Sequence, residues 1–165
     1  MWGSAGDIEL YNQYIGRFVS EYGMQGMIPM SSIRNFATSL DMFLVSPVMQ
    51  IHERHIAGWP NLYRYMNDYF KPTKDFETFV YGTMVMQAYA VEVAIHALRR
   101  NRPYCMGSLY WQINDVWPVF SWASVDYYGQ WKAIHYRGRE AYKDVVSLVT
   151  AEDTEGSFKI HLINE

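Results

Sequence analysis

Cysteine is nearly absent: Cys105 is the single one in 165 residues. An internal disulfide is therefore excluded. Cys105 sits in an apolar stretch and reads as inert core rather than as a nucleophile. An excess of basic residues is missing too. Fourteen Lys and Arg face 17 Asp and Glu, for a net charge of −3, and no basic stripe appears, which argues against nucleic acid as a partner. No uninterrupted apolar run reaches the length of a membrane span, so no membrane partner is expected. The opening MWGSAGDIEL lacks the charged start and apolar region of a signal peptide, and the sequence assigns no compartment. Internal repeats, low-complexity tracts and a Gly-rich phosphate loop are all lacking. His52 and His55 form an H-x-x-H, but zinc needs a third ligand and often a carboxylate, so these read as packing or solvated histidines. His96 and His135 stand alone in helices and read the same way. No metal and no cofactor is expected.

What the chain has in quantity is apolar and aromatic surface. Half of its residues are hydrophobic and 17% are aromatic. That suffices for a real core in one domain, or in a piece of a larger one. The aromatics concentrate in Ser108–Tyr136, SLYWQINDVWPVFSWASVDYYGQWKAIHY, which holds Trp111, Trp117, Trp122 and Trp131 of the six tryptophans. There the rings alternate with Gln112, Asn114, Asp115, Ser121, Ser124 and Asp126. Flat apolar faces beside hydrogen-bonding groups suit an amphipathic ligand such as a sugar ring. The competing reading is an aromatic mini-core under a loop.

Around this stretch the patterning predicts mixed α/β structure. Arg17–Gly23 reads as a strand with Glu21 at its C-terminal end. Alternation puts Arg17, Val19 and Glu21 on one face and Phe18, Ser20 and Tyr22 on the other. A short helix is expected from Asp7, and others over Ser32–Leu44, Pro47–Ala57 and Asn61–Tyr69. The clearest spans Phe76–Arg100, capped by Asp75, with a stripe of Val80, Met84, Gln87, Val91, Ala94 and Leu98. Cys105–Ile113 reads as a strand, Lys132–Asp144 as a helix weakened by Gly138, and Val145–Ala151 with Ser157–Asn164 as a hairpin turning at Glu152–Gly156. A strand–helix–strand unit implies parallel pairing. Two such strands cannot close a barrel and an isolated hairpin is marginal, so a truncated chain is expected.

With RFVSEYGMQ followed at this distance by GSLYWQINDVWPVFSWASVDYYGQWKAIHY, the sequence resembles the β-mannosidases of glycoside hydrolase family two. LYWQIND, VWP and DYYGQWKAIHY favour that branch over the galactosidases and glucuronidases. The resemblance implies the C-terminal part of a (β/α)₈ TIM barrel: its last two strands with their helices over residues 1–144, then the start of a β-sandwich over 145–165. It implies a retaining exo-glycosidase releasing terminal β-mannose from a mannoside or mannan-derived oligosaccharide. Glu21 matches the nucleophile. Trp111 matches the tryptophan lining the sugar subsite, with a non-proline cis peptide after it. Tyr22, Asn114 and Asp115 are further candidates for substrate contact, with loop-pinning as the alternative role for Asn114 and Asp115. The general acid precedes the nucleophile in this family, so Glu165, after Asn164, does not qualify and half of the catalytic pair is missing. The loop MQGMIPMSS departs from the aromatic, serine-containing turn usual in mannosidases, which bears on substrate preference. The expected partners are the remainder of a parent polypeptide and other copies of the fragment. Glu21 and Trp111 should look into one pocket. Rival readings are another family-two glycosidase, a non-catalytic carbohydrate-binding module using its tryptophans, and a helical interaction domain docking through Phe76–Arg100.

Overall fold

The computed structural model describes residues 6–151 and 155–165. Residues 152–154, most of the expected hairpin turn, lie outside them. The described chain is mixed α/β, with helices packed behind a two-stranded parallel pair and an antiparallel hairpin.

The organising element is helix α4, Phe76–Arg100, with the bounds the apolar stripe predicted. Asp75 caps it, accepting from Thr78 N–H at 2.7 Å. Its stripe is internal rather than offered to a partner. Val80, Met86, Ala90, Val91, Ala94, Ile95 and Leu98 are buried. They meet a 3₁₀ turn (Ile8–Asn12), α3 (Gly58–Tyr69) and α5 (Ala133–Ala141). By length and composition α4 could cross a bilayer, contrary to the expectation that no segment is long enough, but 61% of its most apolar window is buried in protein. At its C-terminal end Arg99 is buried. It donates to Ala141 O at 2.5 Å and pairs with Glu165 at 3.2 Å, so helix, α5 and hairpin meet there.

Three expected helices are shorter, among them α5, Ala133–Ala141 against an expected Lys132–Asp144. Ser32–Leu44 contains only the end of α1 (Met30–Ile33) and a 3₁₀ turn, Ser39–Asp41. Asp41 Oδ2 accepts from Thr38 N–H at 2.9 Å and from Thr38 Oγ1 at 2.7 Å. Such local bonds compete with a continuous helix, and Leu40 is left 84% exposed. Helix α2 covers Pro47–His52 and stops at Glu53, whose extended backbone turns its carboxylate inward. Gly58 therefore opens α3 instead of closing α2. A Cβ there would lie 2.2 Å from the Glu53 carboxyl carbon.

Strands β1 (Val19–Tyr22) and β2 (Ser108–Tyr110) pair in parallel, as the strand–helix–strand order requires. Hydrogen bonds extend the ladder beyond β2 at both ends, from Met106 N–H to Arg17 O at 2.8 Å and from Trp111 N–H to Tyr22 O at 2.7 Å. The register slips by one residue: Val19 sits opposite Ser108, but Tyr22 opposite Tyr110. That slip corrects the simple alternation. Val19 and Tyr22 both pack on the core, while Ser20 and Glu21 are both exposed.

The hairpin β3 (Val145–Ala151) with β4 (Phe158–Asn164) pairs in register from Val145↔Asn164 to Ala151↔Phe158. One face buries Leu148 and Ile163. The other exposes Val149, Phe158, Ile160 and Leu162. Trimming the buried anchor by Ile163→Ala should cost about 2 kcal/mol, measured as a lowered urea midpoint. An unchanged midpoint would mean that the hairpin does not unfold with the helices.

Candidate functional site

The site is built at the C-terminal ends of β1 and β2. Because the strands run parallel and Trp111 N–H bonds Tyr22 O at 2.7 Å, Glu21 and Trp111 emerge at the same end of the pair. Both side chains are solvent-facing, with Trp111 50% exposed. Gly23 permits this approach. A Cβ on it would lie 2.4 Å from Trp111 O and 3.0 Å from Trp122 Cδ1. The Trp111–Gln112 peptide is cis, as the resemblance implied. A groove of about 320 Å³ runs beside Glu21, lined by Tyr11, Tyr14, Val19, Tyr22 and Leu98. Trp111 is not among its lining residues, so the single pocket expected for the two side chains does not appear as one cavity.

Tyr22 lines the same groove from a more enclosed position than Glu21. It is buried, and its hydroxyl meets Tyr142 Oη at 2.9 Å. Burial pushes its phenol pKa far up, reinforced by Tyr142. Asp115 is also buried. Its Oδ2 accepts from Ser121 Oγ at 2.7 Å and its Oδ1 from Gln112 Nε2 at 3.1 Å. Burial raises the Asp115 carboxyl above the usual range, against those bonds and the Lys132 charge. Asn114 stays exposed. Ser124 Oγ donates to Ile113 O at 3.0 Å, and Asp126 Oδ1 accepts from Tyr128 and Gln130 N–H at 2.9 and 2.8 Å. Most short polar side chains of the aromatic loop are thus spent on holding the loop itself. Trp117 stacks on His52, and Trp122 lies edge-on to His55. His52 Nδ1 donates to Pro118 O, so this histidine packs and pins. Among the described residues no group of three His, Cys, Asp or Glu could hold a metal. Glu165 is held below the usual carboxylate range, by hydrogen bonding from Arg102 first and Arg99 second.

Sequence reasoning missed a buried polar layer under these loops. Lys132, fully buried, donates from Nζ to Gly26 O at 2.9 Å and to Ser121 O at 3.0 Å. Gln87 Nε2 donates to Met24 O at 2.8 Å and to Ser121 O at 3.2 Å. Gln25 Nε2 reaches Glu53 Oε2 at 2.6 Å and Phe120 O at 2.8 Å. Burial pushes the Lys132 ammonium pKa down, opposed by Asp115 and Asp126, and pushes the Glu53 carboxyl up. A lone glutamine inside the apolar stripe of α4 was the available signal, since a buried amide demands partners. The unusual loop after Glu21 lies in this layer. Met24, Gln25, Met27 and Ile28 are all at most 1% exposed, so the loop fills space beneath the site.

Comparison with known proteins bears on the sequence and the fold as a whole. No protein-family model matches the sequence. The chain is 30% identical to the β-mannosidase of Mus musculus over 97% of its length and 21% of that protein. It is 31% identical to the β-mannosidase B of Aspergillus flavus over 94% of its length and 19% of that protein. The crystal structure of the β-D-mannosidase from Dictyoglomus thermophilum superimposes with a TM-score of 0.92 at 33% identity, covering 99% of this chain and 20% of that one. The exo-chitosanase CsxA of Amycolatopsis orientalis, at TM-score 0.71 and 15% identity, shares the fold alone. The chain thus spans about a fifth of the length of these relatives. In sequence over nearly all of its residues, and in fold, it is β-mannosidase-like, a relative of the β-mannosidases of glycoside hydrolase family two.

Proposed function

We propose that the chain is a segment of a retaining exo-glycosidase for terminal β-mannosides, and that it carries the nucleophile. The supporting observation is the placement of Glu21 and Trp111 at the same ends of two hydrogen-bonded parallel strands. Active sites of (β/α)₈ barrels lie at the C-terminal ends of strands. In this reading β1 and β2 are the last two barrel strands, residues 1–144 belong to the barrel domain, and residues 145–165 open a β-sandwich. The apolar outer face of the hairpin, with Phe158, Ile160 and Leu162, then packs against further strands of that sandwich. A chain made without those strands would self-associate through this face.

A retaining mechanism needs two carboxyl groups roughly 5–5.5 Å apart. Glu21 attacks the anomeric carbon and displaces the aglycone, whose oxygen takes a proton from an acid carried elsewhere in the longer polypeptide. Water, deprotonated by that same group, then releases mannose with net retention. Trp111 offers a flat face to the sugar and walls off water, and Asn114, exposed, hydrogen-bonds a hydroxyl. Tyr22 and Asp115 serve from behind, holding the strand and the loop.

The test is covalent trapping in the full-length polypeptide. A 2-deoxy-2-fluoro-β-mannosyl fluoride should inactivate it and leave one fluoromannosyl group on the peptide containing Glu21, read by mass spectrometry. A label on any other carboxylate, or no inactivation, would reject the assignment.

A further inference from the structure

The loops leaving β1 and β2 meet at one backbone carbonyl. Ser121 O accepts from Gly26 N–H at 3.1 Å, from Gln87 Nε2 at 3.2 Å and from Lys132 Nζ at 3.0 Å. The same two side chains reach across to the other loop, Lys132 to Gly26 O at 2.9 Å and Gln87 to Met24 O at 2.8 Å. Each donor therefore bridges the segment following Glu21 to the segment following Trp111. Both side chains have no exposed surface and are anchored in different helices, Gln87 within α4 and Lys132 at the cap of α5.

Burying an ammonium on two neutral carbonyls is a costly way to join loops. A packed methionine or leucine would fill the space more cheaply. What the lysine adds is direction: fixed N–H vectors that set the distance between the two loops. Asp115 and Asp126 supply the compensating charge, and Asp115 lies on the loop that begins at Trp111. The arrangement links the helical layer to the two side chains the chemistry needs.

We propose that Lys132 and Gln87 are positioning residues, clamping the loops after β1 and β2 so that Glu21 and Trp111 keep a productive separation. The inference rests on the glycosidase reading above. Misplacing a reacting group by about 1 Å costs roughly 100-fold in rate. The clamp thus acts on the chemical step, not on overall stability alone.

The experiment uses the full-length polypeptide with Lys132→Met and, as a milder second variant, Gln87→Met. Ile95→Ala, a buried cavity variant outside the clamp, controls for lost stability. At a temperature where circular dichroism shows all of them folded, fluoromannosyl fluoride should label the two clamp variants about 100-fold more slowly than wild type. kcat should fall with kcat/KM, and the Gly26 and Trp111 amides should lose hydrogen-exchange protection. Ile95→Ala should label at nearly the wild-type rate. Wild-type rates in a folded Gln87→Met or Lys132→Met, or an equal loss in Ile95→Ala, would overturn the proposal. A wild-type protein that is never labelled at Glu21 would instead overturn the glycosidase reading on which it stands.

Discussion

Replacing Glu21 by alanine in the full-length polypeptide should lower turnover of an aryl β-mannoside by at least about 10⁴-fold, the scale seen when a catalytic nucleophile is deleted. The fold should survive, because the side chain is exposed at a strand end. Two further readouts separate a nucleophile from a residue that merely supports the site. The loss should be the same in Glu21→Gln, which keeps the shape and removes the negative charge. Added azide should restore consumption of the activated substrate in Glu21→Ala. The azide forms a bond to the anomeric carbon as the aryl oxide leaves, so the product is an α-mannosyl azide of inverted configuration. Residual activity above a few per cent, or rescue giving a β product, would place the attacking carboxylate elsewhere.

Among the described glycines, Gly23→Ala should be the most damaging, because the atom its added methyl meets is backbone. The added carbon would sit 2.4 Å from the Trp111 carbonyl oxygen, which is backbone and cannot swing aside, and 3.0 Å from the Trp122 ring. Relief requires β1 and β2 to part at the point where Trp111 N–H reaches Tyr22 O. It would also disturb Tyr11, whose hydroxyl donates to Gly23 O at 2.8 Å. A loss of about 3 kcal/mol is expected from overpacking against backbone, with a matching fall in the rate of labelling at Glu21. Gly138→Ala is the contrasting control. It lies inside α5 with nothing within 4 Å of its added Cβ, and should stabilise by about 0.5–1 kcal/mol through helix propensity. Equal effects of the two substitutions in a chemical denaturation series would dismiss the close-approach argument.

The parts legible in the sequence were those governed by one periodicity. Helix α4 and the hairpin follow from apolar spacing, a capping aspartate and alternating side chains, all local properties. The parallel pairing of β1 and β2 followed from element order. The misread parts are those where a side chain overrules its neighbourhood. Thr38 and Asp41 bond to each other and break a helix that Ile33, Phe36 and Leu40 had suggested by spacing. Glu53 turns inward to meet Gln25 and His55, ending α2 early and leaving Gly58 to start the next helix. The slip in β1 leaves Ser20 and Glu21, expected on opposite faces, both exposed, and nothing in VSEY announces it. For the site, the resemblance supplied Glu21 and Trp111. The clamp beneath them was invisible because a lysine before an apolar helix looks like any exposed cap.

The Met-rich segment after β1 has one more implication, for anyone wishing to redesign such a protein. Since Met24, Met27 and Ile28 are buried, libraries randomised there will sort first by heat tolerance and expression yield. On the glycosidase reading proposed above, altered selectivity is to be sought on the rim instead, at Asn114 or among the residues flanking Trp111.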